Sequence, residues 1–207
     1  MSEIILASGS PRRKEMLEWL GLDFEVVTSN FDEECVVCDD ADELAEELAL
    51  QKALVVANQH PESLVIAGDT VVSVDDQILG KATDKDHAKV ILRTLSGRGH
   101  EIITGVVLVD PFHDQPIVFH EKSQVFFREV SDSDIETYLE TDIWKDKAGA
   151  YAIQEDPHKL VLGFDGSFTN IMGLPLTRLS EELVSLGVNI PVDVISTIEA
   201  NTGKREI

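Results

Sequence analysis

Residues 63–74 read SLVIAGDTVVSV, an apolar β-strand with a carboxylate at its centre. A strand this apolar belongs inside a sheet that helices cover. A charge in its middle has to meet a cation, a set of backbone N–H groups or a ligand. Asp69 therefore demands a partner from elsewhere in the chain. Asp75-Asp76 reads as the turn that follows, with Gln77 to Leu79 as the return strand.

Helical and strand patterns alternate around this segment. Ile4 to Leu6 form a short strand, and a Ser/Gly turn leads into a helix with Ser10 as N-cap, Pro11 at its first position and Gly21 just past its end. Asp23 to Val27 is strand-like, and a long helix runs from Ala41 to Asn58 with Leu44, Leu48 and Val55 on one stripe that Ala45, Ala49 and Val56 extend. A helix capped near Thr83 carries Ala88, Ile91, Leu92 and Leu95 on one face and stops at Gly97. HEIITGVVLVD and the run from Ile117 to Val130 read as a pair of long strands, and SDSDIETYLET as a capped short helix. LVLGFDGSFTNIMGLP reads as strand then Gly-rich loop, and Pro175 opens a helix striped by Leu176, Leu179, Leu183 and Leu186. With no repeat and no linker, the chain is expected to be α/β over residues 1–207: one domain, a mixed, bilobed sheet with flanking helices around a cleft.

Charge narrows the function. Seventeen Lys plus Arg stand against 39 Asp plus Glu, a formal net charge of −22. Such a surface repels nucleic-acid backbones and anionic membranes, so neither is expected as a partner. No apolar run approaches a membrane span, and MSEIILAS lacks the basic and apolar regions of a signal peptide, so cytoplasmic residence is the expectation. Cys35 and Cys38 supply half a tetrahedral zinc site with no second pair, and are read as incidental thiols.

In so acidic a chain the placement of cations is informative. Arg12, Arg13 and Lys14 crowd the first turn of a helix. That end is already equivalent to half a positive charge, so each cation there should cost about 0.3–1 kcal/mol. A phosphate bound at the turn would reverse the sign, because guanidinium groups and helix N–H groups both hold it. GxxxxGK[ST] is absent, so the turn is not a P-loop. Lys52 falls on the apolar stripe of the long helix, where it either snorkels or points into an internal anion site. Lys81 emerges where the return strand ends, and Asp32-Glu33 precede the long helix. Singly, each has a bland reading: a solvated basic patch, a capping aspartate, a snorkelling lysine. Together they form two Arg and two Lys for a polyphosphate, with carboxylates for a divalent cation and a water.

At these residues the chain resembles the Maf family of nucleoside triphosphate pyrophosphatases. LASGSPRRKEML, FDEE, LALQKA, IAGDTVV, LGKATD, DKAGAYAIQ and GSFTNIMGLPL match in order, across residues 5–176. The resemblance implies a Maf/Ham1-like, inosine-triphosphatase-like fold with a deep nucleotide cleft. It implies hydrolysis of a nucleoside triphosphate to the monophosphate and pyrophosphate with Mg²⁺ or Mn²⁺. It gives Asp69 the role of proton acceptor, and Ser8, Arg12, Arg13, Lys52 and Lys81 that of binding the triphosphate. Glu33 becomes the acidic site residue that would share the metal with Asp69. Arg12, Thr70 and Gln154 match the branch that resembles dTTP/UTP pyrophosphatases, whereas a branch acting on 7-methyl-GTP carries Trp, Gln and Glu there. The expected substrates are thus dTTP, UTP and modified pyrimidine nucleotides. The alternatives are purine-directed house-cleaning and a nucleotide-sensing regulator of cell division. A homodimer is what the resemblance suggests. If an anion offsets the crowded helix end, replacing either Arg12 or Arg13 by Ala should preserve or raise the stability of the empty protein.

Overall fold

The computed structural model describes residues 3–156 and 158–206; Met1 and Ser2, part of the stretch read for a signal peptide, lie outside them. In chain order the elements are β1 (Ile4–Leu6), α1 (Pro11–Trp19), β2 (Glu25–Val26), α2 (Ala41–Ala57), β3 (Leu64–Val74), β4 (Gln77–Leu79) and α3 (Lys85–Leu95). They continue as β5 (Gly99–Val109), β6 (Ile117–Phe127), α4 (Asp132–Leu139), β7 (Val161–Asp165), α5 (Phe168–Met172), α6 (Leu176–Ser185) and α7 (Val194–Thr202). The strands form one mixed sheet in the order β2-β1-β3-β5-β6-β7, with β4 also on β3. β1 runs parallel to β2 and β3, and every other pairing is antiparallel.

β3, β5 and β6 are each 11 residues long, about 36 Å at a rise of about 3.3 Å per residue. That length exceeds what one core can cover, and the two ends of the sheet bury into different ones. Leu64 and Ile66 of β3 pack with Leu17, Leu179 and Ile198 under α1, α6 and α7. Val72 and Val74 of the same strand pack with Leu92 and Tyr138 under α3 and α4. The expected two lobes are therefore two cores strung on one set of strands, with Gly68, Asp69 and Thr70 at the crossing.

α2 covers the other face of the sheet. Its buried residues are Ala45, Leu48, Ala49, Lys52, Ala53 and Val56, the alanine side of the expected stripe with Ala53 added and Leu44 left at the margin. The cause is distance. A Cβ built on Gly105 of β5 would overlap the Ala45 carbonyl and stand 2.7 Å from the Glu46 nitrogen. The helix lies so close to the sheet that alanines meet it, and the leucine at 44 is only half-buried.

Four local readings need correction. The Asp23–Val27 strand shrinks to the two residues of β2, and β6 ends at Phe127. α3 is capped by Asp84, whose side chain accepts from His87 N at 2.8 Å, in place of Thr83. Part of the Gly-rich loop after β7 is the helix α5, with Ser167 as N-cap and Gly173 left-handed at φ 112°. α7 was not foreseen. Beyond it the buried carboxylate of Glu206 accepts from Ser167 Oγ (2.8 Å), Thr169 N (2.7 Å) and Thr177 Oγ1 (2.9 Å), pinning the start of α5.

Gly105→Ala is expected to push α2 off the sheet. Overpacking of this kind costs about 1–3 kcal/mol, so the urea midpoint of the ligand-free protein should fall. A midpoint equal to wild type would show that α2 has slack to move.

Candidate active site

The cleft starts as a gap in hydrogen bonding. On one edge β3 pairs with β1 at residues 64–66 and with β4 at residues 72–74. Between these, Ala67 to Val71 have a strand partner only on the β5 side. The neighbour switches and the edge lies open, which is where sheets of this kind admit ligands. Asp69 and Thr70 sit in the gap. A cavity of about 650 Å³ opens onto it, walled by the turn after β1, the first residues of α1, Lys52, Lys81 and the segment around Ala148.

One face of the gap is an ion-pair cluster. Lys52, 9% exposed, points inward and not along the surface. Its Nζ donates to Asp69 Oδ1 and lies 2.7 Å from Glu33 Oε1. Lys81 Nζ donates to the other Glu33 oxygen at 3.3 Å. Burial pulls the Glu33 pKa up, but the hydrogen bonds and charges of Lys52 and then Lys81 outweigh it and leave the carboxyl below its usual range. Glu33 opens a short 3₁₀ turn (Glu33–Cys35) whose N-cap is Asp32, accepting from Glu34 N at 3.1 Å. Asp32 spends Oδ1 on that cap and, unlike Glu33, does not line the cavity. Cys35 is exposed and both thiols are free.

The other face holds the arginines, and they differ. Ser10 caps α1, accepting from Arg13 N at 3.4 Å, and Ser8 Oγ accepts from Ser10 N at 3.2 Å. Arg13 folds back into the protein: Nε donates to Gly173 O (2.8 Å), Nη2 to Thr70 Oγ1 (2.9 Å) and Nη1 to Ser8 Oγ (3.4 Å). Thr104 Oγ1 donates to Asn170 O at 3.0 Å, so its one proton is spent and Thr70 must donate the 3.0 Å bond between the two hydroxyls. The result is a one-way chain from Arg13 through Thr70 and Thr104 to Asn170. Arg12 has no such tie; burial, then Arg13, lower its pKa against the pull of Glu155. These bonds set Arg13 against the expectation that neither arginine supports the empty protein.

Ser8, Arg12, Arg13, Glu33, Lys52, Asp69, Thr70 and Lys81 all line this one cavity. Gln154 does not. It sits in a turn lining a neighbouring cavity of about 800 Å³ that adjoins the first through Arg12, Ile153 and Met172. Its Oε1 is buried without a hydrogen-bond partner among the described residues. Sequence reasoning missed Thr104 and Asn170, which present only as ordinary polar residues in apolar runs. It also missed Tyr151, which lines the cleft and meets His100 Nε2 through its hydroxyl at 2.7 Å. Burial pushes the His100 pKa down to about 4, so the pair is neutral.

Among the described residues, no three His, Cys, Asp or Glu side chains gather around one point. Glu33 and Asp69 do converge, since both meet the Lys52 ammonium. Two carboxylates suit Mg²⁺, which keeps several waters and takes the remaining oxygens from substrate phosphates. The donor set fits such an ion.

A family model described as Maf-like protein matches residues 3–186. A protein of Symbiobacterium thermophilum named dTTP/UTP pyrophosphatase is 42% identical over 92% of this chain and 97% of its own. One of the same name from Pelotomaculum thermopropionicum is 40% identical, over 92% of this chain and 100% of its own. The Ham1 protein of Staphylococcus aureus superposes with a TM-score of 0.51 at 15% identity, covering 90% of this chain and 100% of that one. This last likeness concerns the fold alone.

The two arginines should separate in a stability measurement. Arg13→Ala removes charge-assisted bonds that close the Gly173 turn, and is expected to lower ligand-free stability by about 1–3 kcal/mol. Arg12→Ala removes repulsion and should leave the melting temperature equal or higher; equal losses for both would sink the distinction.

His100 gives a pH signature. Unfolded, it takes a proton near its ordinary 6.5, whereas folded it resists until about 4. The unfolded state thus binds more protons in that window, and stability falls as pH drops through it. His100→Gln should shed about 1–2 kcal/mol of the loss between pH 7 and pH 5. Parallel urea-derived pH profiles for the two proteins would contradict a buried neutral His100.

Proposed function

Since the chain belongs to the Maf-like protein family, we propose that it hydrolyses dTTP and UTP, and modified pyrimidine nucleotides, to the monophosphate and pyrophosphate. Its relatives carry the name dTTP/UTP pyrophosphatase. The observation that carries the reading in this molecule is the open edge of β3, where Asp69 shares the Lys52 ammonium with Glu33. A protein that only sensed nucleotide could dispense with a carboxylate so placed.

Asp69 acts as the base in this reading. It accepts a proton from the water whose oxygen attacks the α-phosphorus, while the bond from that phosphorus to the bridging oxygen breaks and pyrophosphate leaves. Lys52 and Lys81 hold phosphate oxygens on one side, and Ser8 and Arg12 on the other. Arg13 keeps Thr70 and the α1 end in place beneath them. Glu33 and Asp69 would hold Mg²⁺ or Mn²⁺, which when bound offsets phosphate charge and polarises the attacked group. Gln154 offers an amide donor and acceptor to a pyrimidine, matching N3–H with oxygen and a ring carbonyl with nitrogen; its unpaired Oε1 supports that use.

Among the described residues no helix is long and apolar enough to cross a membrane. The same reading assigns the enzyme to the cytoplasm, with free nucleotide and not nucleic acid as its ligand. A homodimer rests on family resemblance.

Pyrophosphate release should be fastest from dTTP and UTP in a panel with CTP, GTP and ATP. Asp69→Asn should lose about 10²–10⁴-fold in kcat while still binding triphosphate. A mutant near wild-type rate would remove Asp69 from the chemistry, and a panel led by a purine would overturn the substrate assignment.

A further inference from the structure

Five cations line the cleft, and the protein compensates three of them itself. Lys52 and Lys81 share Glu33 and Asp69, and Arg13 is tied to Gly173, Thr70 and Ser8. Arg12 and Lys147 are the remaining two. Neither has an ion-pair partner among the described residues, and the one hydrogen bond of the Lys147 ammonium is a 3.4 Å contact to Lys145 O. They feel each other: after burial, the charge of Arg12 is what most lowers the Lys147 pKa, against Glu155 and Asp146. Two mutually repelling cations without an ion-pair partner among the described residues, in one recess of a chain of net charge −22, leave room for an anion from outside.

The backbone around Lys147 is bent against its own preference. Asp146 (φ 57°), Gly149 (69°) and Ala150 (57°) are all left-handed. Such a conformation costs a non-glycine residue about 1–2 kcal/mol and persists only where the surroundings enforce it. An isolated bridge between Ala148 and Lys81 pins the turn, and Ala150 and Tyr151 bury into the α3/α4 core. Arg12 rides on α1, whose Met16 and Leu17 bury into the other core. The two free cations therefore approach the cavity from different lobes.

From this placement we propose that Lys147 is a further substrate-binding residue, which with Arg12 holds one phosphate group of the triphosphate across the two lobes. The proposal rests on the triphosphate reading given above and adds to it a contact on the α3/α4 side. It makes the strained turn part of the binding site, with the anion relieving the repulsion that the empty protein carries.

Binding of inorganic triphosphate, by calorimetry, separates this from the reaction itself, and UTP kinetics then read the same site in turnover. Wild type, Lys147→Met, Lys147→Arg and Lys145→Met are compared. Lys147→Met should weaken triphosphate binding and raise the KM for UTP by about 10- to 100-fold, with ligand-free melting equal or higher. Lys147→Arg should recover most of the affinity, and Lys145→Met should change nothing. Unchanged binding and KM in Lys147→Met would overturn the proposal. So would equal losses in Met and Arg variants that also melt lower, since the side chain would then be structural. If wild type releases no pyrophosphate from any nucleotide yet binds triphosphate through Lys147, the anion contact stands and the enzyme reading falls.

Discussion

A single buried ammonium sets the geometry of this protein. Lys52 leaves the middle of α2, crosses to the open edge of β3 and meets both Asp69 and Glu33. A charge so placed is tolerable only while its partners stay, because removing one partner of a buried pair typically costs about 3–5 kcal/mol. The contact therefore ties together the helix, the central strand and the acidic turn before α2. Its reach is set by how far α2 stands from the sheet, which Gly105 and the alanine face determine. Close approach of helix to sheet is thus a requirement of the site as much as of the core.

The cleft follows from strand lengths that do not match. β1 and β4 are three residues each and β3 is 11, so its edge is covered at both ends and bare between. The bare stretch exposes backbone and carboxylate where the two cores part. Around it cations gather, while the rest of the surface is acidic. Field lines from such a recess focus toward its mouth, drawing in a small polyanion that the overall charge would repel.

Much of this was legible in the sequence because charges in apolar patterns have few explanations. Asp69 inside LVIAGDTVV and Lys52 on a helical stripe both signalled an internal polar site, and the structure brings them into contact. Strong periodicity gave α2, α3 and α6 within a residue or so. The five-residue α5 is too short to show a period, and α7 lies beyond the matched motifs. Arg13 could not be sorted from Arg12 by any local rule, since its deciding partner, Gly173, lies 160 residues away. The buried face of α2 follows the periodic stripe through Ala45, Leu48, Ala49, Lys52 and Val56, and what periodicity could not show is the packing distance that adds Ala53 and leaves Leu44 half-buried.

The carboxylate of Glu206 acts at long range along the chain. It satisfies Ser167 and Thr169 from 39 and 37 residues further along, and so stitches the start of α5, the helix that ends in the Gly173 turn on which Arg13 hangs. The pairing of β3 with β5 and of β5 with β6 draws on nothing beyond Phe127, whereas the donors at the start of α5 find their acceptor only when the last described residues fold back to them. The α1 side of the cleft is therefore tied to the far end of the chain, and a cut between α7 and Glu206 would be a cut in the support of the cleft wall.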